Sequence, residues 1–144
     1  MRKTALLLVV TTFLAAPFGC GSSGASAAVL ESSDGLLVIE AEADGGSLQD
    51  ALNALSESGE ISIEGTDGEY GLYITSVNGR SADSAANEYW AIYTTLGELD
   101  GVSYSSGEYG SFDYDGKTLS SALYGAGGLI MAKGELYALK LETY

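Results

Sequence analysis

Aromatic rings and carboxylates are the side chains through which this chain could do chemistry. Ten tyrosines and one tryptophan stand among 144 residues, with 20 acids and no histidine. Without histidine there is no His-based triad and no His–Cys nucleophile pair, and nearly all zinc and haem sites are excluded. The one cysteine, Cys20, lies close to the N-terminus. Asp113-x-Asp115-Gly116 has the form of half a calcium loop. Its glycine, however, falls at the fourth position rather than the sixth, and Tyr124 holds the twelfth, where a glutamate is needed. A hairpin turn about Asp115-Gly116 is the expectation. Gly125-Ala126-Gly127-Gly128 would be a phosphate loop only if a helix start and a Lys-Ser/Thr pair followed, and neither does. Two carboxylates can hydrolyse glycosides, yet no pair stands out among so many acids. These exclusions point away from an enzyme. The tyrosines suit a surface for flat or sugar-like ligands, and they are also favoured simply as strand residues.

The elements that position these groups can be read from periodicity. Residues 35–40 form a short apolar run, the pattern of a strand buried on both faces. Ser47 can cap a helix, with Asp50 three residues on completing a capping box. Leu48, Ala51, Leu52 and Leu55 then share one helical face, and Gly59 ends the helix. Residues 60–64 alternate as a half-buried strand. Residues 72–77 form a strand that ends at Asn78-Gly79, and residues 89–95 form another. In the latter, Trp90 and Ile92 face one way and Tyr89, Ala91 and Tyr93 the other. Residues 136–144 read as a last strand, with Tyr137, Leu139 and Leu141 on one face. One helix among antiparallel strands predicts an α+β fold in two layers, the helix packed on a mainly antiparallel sheet, β-grasp-like.

The ends and the charge bound the setting. Met1-Arg2-Lys3 followed by an apolar run over residues 4–16 has the form of a secretory signal. Cys20 sits where a bacterial lipoprotein carries its lipidated cysteine, although Pro17 stands where an aliphatic residue is usual. Ala25-Ser26-Ala27 offers an ordinary cleavage site as the alternative. The expected organisation is therefore a signal over 1–20, a flexible Gly/Ser/Ala-rich tether over 21–34 and one domain over 35–144. The expected location is the outer face of the bacterial cell membrane, or the medium. The net charge is −14, and beyond the signal only Arg80, Lys117, Lys133 and Lys140 oppose the acids. Such a balance disfavours nucleic acid and anionic membrane surfaces, leaving a lipid anchor as the membrane contact.

The run Tyr70-Gly71-Leu72-Tyr73-Ile74-Thr75-Ser76-Val77-Asn78-Gly79, followed by Glu88-Tyr89-Trp90-Ala91-Ile92-Tyr93, resembles the transcobalamin C-terminal-like domain family. Ser47-Leu48-Gln49-Asp50-Ala51-Leu52 and the closing Leu141-Glu142-Thr143-Tyr144 are similar to segments of that family as well. The resemblance spans roughly residues 36–144. It implies a non-enzymatic module that binds a small ligand, with cobalamin or another corrinoid as the candidate and no resident cofactor. Tyr89, Trp90, Tyr124, Gly127, Leu129 and Tyr144 are the implied ligand-binding positions. A membrane transporter or a second surface protein is the implied partner. In the animal carriers a larger helical domain completes the site, and this chain has none. The alternative expectation is a cell-surface protein-interaction or assembly module that uses a sheet edge.

Overall fold

The computed structural model describes residues 25–69 and 71–144. The signal, Cys20 and the start of the expected tether lie outside the described residues. In chain order the elements are β1 (Ala27–Ser33), β2 (Leu36–Ala41), α1 (Leu48–Glu57), β3 (Ile63–Gly68), β4 (Gly71–Val77), β5 (Arg80–Ser81), a 3-10 turn (Ser84–Ala86), β6 (Glu88–Thr94), β7 (Glu98–Leu99), β8 (Val102–Ser103), β9 (Ser105–Tyr114), β10 (Lys117–Ala122) and β11 (Leu136–Thr143).

Turn chemistry sets the local pairs. Asn78-Gly79, Asp100-Gly101 and Asp115-Gly116 all have positive φ at both residues. That is the two-residue turn whose twist matches flanking strands, and it closes the β4–β5, β7–β8 and β9–β10 hairpins. Asp115-Gly116 is thus a hairpin turn, as its spacing predicts. Long-range pairing then orders a six-stranded sheet β1-β2-β11-β6-β10-β9, antiparallel throughout. A second sheet, β3-β4-β5, and the small β7–β8 ribbon stand apart from it.

The α+β two-layer expectation is overturned. Strands take 55% of the described residues and helix 11%, so the fold is mostly β. The helix is where the spacing places it, with Ser47 and Asp50 forming the reciprocal capping box and Leu48, Ala51, Leu52 and Leu55 buried. It covers only part of one sheet face, however. The β3–β5 sheet and the 126–131 segment cover the rest, through Ile74, Val77, Ala126, Leu129 and Met131 against Leu37, Ile39, Trp90, Tyr137 and Leu139. On the opposite face Val38, Leu136, Ala138, Tyr93 and Leu119 form a second cluster with Phe112 and Tyr114. Burial first, and then the Glu31 and Asp115 carboxylates, raise the Tyr114 phenol on β9. Residues 27–33 of the expected tether are strand β1, paired along β2. The Ala-Ala-Val-Leu start is ordered by a local hairpin across the Asp34-Gly35 turn, which a reading of 21–34 by its Gly/Ser/Ala composition passes over.

Candidate binding clefts

Two adjoining clefts share a wall at residues 123–125, and the residues that line them come from α1, β4, β6, β9, β10 and the loops between. The broader, about 740 Å³, is lined by Gln49 of α1, Glu69, Gly71, Leu123, Tyr124, Gly125, Gly127 and Gly128. The narrower, about 370 Å³, is a slot between Leu72–Ile74 of β4, Tyr89–Tyr93 of β6, residues 121–125 and Tyr109. Leu123, Tyr124 and Gly125 wall both.

The broad cleft exists because two backbones meet closely. A Cβ on Gly71, whose φ is +94°, would lie 3.1 Å from the Gly127 Cα and 3.2 Å from Gln49 Oε1. Only glycine fits this conformation and this approach together. Gln49 Oε1 accepts from the Leu72 N–H at 3.2 Å and ties β4 to the helix. The 125–129 loop is pinned rather than loose. Its Ala126 and Leu129 carbonyls accept from the Gln49 and Leu48 N–H groups at 2.9 and 2.8 Å. Those bonds, with the Ser47 cap, consume the donors of the helix start, so it offers no phosphate cradle.

The slot exists because β10 leaves β6. The two strands pair only at Ser120↔Thr94 and Ser121↔Tyr93. After Ser121, β10 follows the first residues of β9 instead, at Ser106 and Ser105, and residues 107–110 of β9 loop out without partners on β10. Tyr109, flanked by Gly107 and Gly110, stands 71% exposed on that loop at the slot's mouth. Tyr73 is 62% exposed on the opposite lip.

The predicted positions divide. Tyr124 is 43% exposed, lines both clefts and packs on Tyr104 at 5.5 Å between ring centroids. Gly127 lines the broad cleft, and Tyr89 lines the slot. Trp90 borders the slot, but its side chain is core, with the indole N–H donating to the Arg80 carbonyl at 3.0 Å. Leu129 is fully buried beneath the loop. Tyr144 is exposed, rests on Tyr89 at 5.8 Å and borders neither cleft. Gln49, Glu69 and Tyr109 were not among the positions the sequence pointed to. The glycines around Glu108-Tyr109 were the one local signal, since paired glycines in a strand mark a bulge.

Residues 45–94 match the domain of unknown function DUF4430. The match runs from the turn before α1 to the end of β6, so it includes both strand walls of the slot but not the 122–128 loop. No curated protein matches the chain.

Chemically, the linings combine phenol hydroxyls, aromatic faces, glycine backbone and one amide. Glu69 is their only charged side chain. Tyr93, at the inner end of the slot, donates its hydroxyl to Glu142 at 3.1 Å. Burial first, then that bond and the carboxylate's charge, push its pKa up to about 12. The phenol is therefore neutral at physiological pH, a hydrogen-bonding group and not a base. Among the described residues no cluster of His, Cys, Asp or Glu is placed to hold a metal.

Proposed function

We propose that the chain is a non-enzymatic, extracytoplasmic binding module that captures a small molecule in the broad cleft, with a corrinoid as the candidate ligand. The observation that carries the reading is Tyr124. It is a large, half-exposed ring, held by Tyr104 and by contact with Gly128, on the wall shared by both clefts. Large rings held in place at a concave, mostly apolar site bind flat ligands at low entropic cost. The corrinoid assignment rests on the resemblance to the transcobalamin C-terminal-like domain, of whose motifs residues 47–52, 70–79 and 88–93 lie within the DUF4430 match and residues 141–144 outside it. In this reading the ligand passes on to a membrane transporter, and lipidation at Cys20 supplies the tether.

Trp90 is the only tryptophan and borders the slot beside the cleft, so its fluorescence is the natural reporter. Titration with cyanocobalamin and cobinamide, corrected for absorption and repeated by calorimetry, is expected to give saturable micromolar binding. Tyr124→Ala is expected to weaken it by about tenfold or more, with little change in thermal stability. Absence of binding at about 100 μM would discard the stand-alone corrinoid reading.

A further inference from the structure

The slot has a property that small-ligand capture does not use. The Thr95 N–H donates to the Leu136 carbonyl, and the Tyr144 N–H to the Asn87 carbonyl. In an antiparallel pair, backbone groups alternate in direction. Odd-numbered residues of β6 therefore turn their groups to β11, and even-numbered residues turn theirs to the other side. On that side the Glu88 N–H is taken by the Asp83 carbonyl and Thr94 is paired with Ser120. Among the described residues, no strand pairs with Trp90 or Ile92 there. The Trp90 N–H and C=O and the Ile92 N–H therefore face the slot in the middle of the sheet.

A sheet edge is usually at the rim of a molecule, where charge or a bulge blunts it. Here the gap is internal and walled by β4, by the 121–125 segment and by the tyrosines at its lips. We infer that the slot is a strand-addition site, which takes an extended peptide segment of a partner protein beside β6 and hydrogen-bonds it to Trp90 and Ile92. Charge selects the partner. No lysine or arginine lines the slot, Glu108 stands next to Tyr109, and the chain carries −14 overall. Arg80 is already engaged by Glu88 at 2.9 Å. The segment is accordingly one that carries lysine or arginine. Its unblocked flanks would be steered by the field and its ammonium or guanidinium groups held against the tyrosine faces. This inference is independent of the small-ligand reading, because it uses the slot and its backbone rather than the broad cleft.

Amide exchange followed by NMR on the full chain tests it in two steps. In the free protein, the Trp90 and Ile92 amides should exchange at least about tenfold faster than those of Ala91 and Tyr93, which β11 protects. Equal protection of all four would overturn the open edge. Two blocked nonapeptides of alternating valine and threonine are then added at about 1 mM, one ended by lysines and the other by glutamates. The lysine peptide should slow exchange at Trp90 and Ile92, and the glutamate peptide should not. N-methylation of the lysine peptide at alternate amides should abolish the effect in one of the two registers. Ile92→Pro, which removes an unpaired N–H, should lose the response, while Tyr144→Ala, outside both clefts, keeps it. No protection by the lysine peptide, an equal effect of both peptides, or protection of these amides by cyanocobalamin instead would each overturn the proposal. If the proline variant fails to fold, the N-methylated peptides still decide the matter. A failed corrinoid titration leaves every one of these outcomes readable.

Discussion

Tyrosine does two separate jobs in this chain, and exposure separates them. Tyr93 and Tyr137 are buried, and their hydroxyls are spent inside the fold. Tyr137 donates to the Ile130 carbonyl at 2.7 Å and accepts from the Ala132 N–H at 2.8 Å. Burial, with Glu135 and Asp44 adding to it against the Ala132 bond, pushes its pKa up to about 12. Tyr93 is raised to the same value. An unfolded tyrosine ionises near 10, so between these limits the unfolded chain releases protons that the folded chain keeps. The stabilising contribution is whole below pH about 10 and is lost as pH rises through about 12. Denaturant midpoints measured across this range should fall, and Tyr93→Phe should flatten the fall. A midpoint independent of pH would show that these phenols titrate normally. Tyr73, Tyr109 and Tyr124, by contrast, spend their area on solvent and border the clefts.

The β3–β4 hairpin carries one wall of the slot, and its geometry depends on a glycine that looks unremarkable in sequence. The register shifts between Glu64 and Gly65, with Ser76 and Ile74 as their partners, so Thr75 is the extra residue of a bulge. A Cβ on Gly65 would lie 2.3 Å from the Tyr73 carbonyl oxygen and 2.9 Å from Leu72 Cδ1. The nearer obstacle is backbone and cannot rotate away. Gly65→Ala is therefore expected to cost about 1–3 kcal/mol in chemical denaturation and to displace the Tyr73 lip. Gly97→Ala, where a Cβ meets nothing within 4 Å, is the control and should be close to neutral. Equal midpoints for the two variants would refute this account of the bulge. The helix is the opposite case. Its cap, its apolar face and its stop were all legible, because each depends on residues within one or two turns.

The molecule taken whole is a six-stranded sheet with different cover on its two faces and a large excess of negative charge. Two of the four described cations are engaged locally, Arg80 with Glu88 and Lys140 with Glu142. The remaining carboxylates repel one another across the surface, and salt screens repulsion of that range. Raising ionic strength from about 0.01 M to about 0.15 M shortens the screening length from about 30 Å to about 8 Å. Tm should rise by roughly 4 °C, equivalent to about 1 kcal/mol in a domain of this size. A fall would mean that the ion pairs of Arg80 and Lys140 outweigh the general repulsion.

Local chemistry was readable without coordinates: the Asn78-Gly79 and Asp115-Gly116 turns, the capped helix, and the alternation of Trp90 and Ile92 against Ala91 and Tyr93. Each depends on neighbours in the chain. The mostly β class, the order of the six strands and the clefts were not readable, because they depend on which strands find one another across many residues, as β2 and β11 do. Leu129 shows the difference in a single side chain. It follows a glycine run that could have been a ligand loop, and it is core because the start of α1 donates hydrogen bonds to that loop's carbonyls. The slot depends on the point where β10 parts from β6, and that divergence is set by competition between the bulged β9–β10 hairpin and the longer-range pairing of β10 with β6.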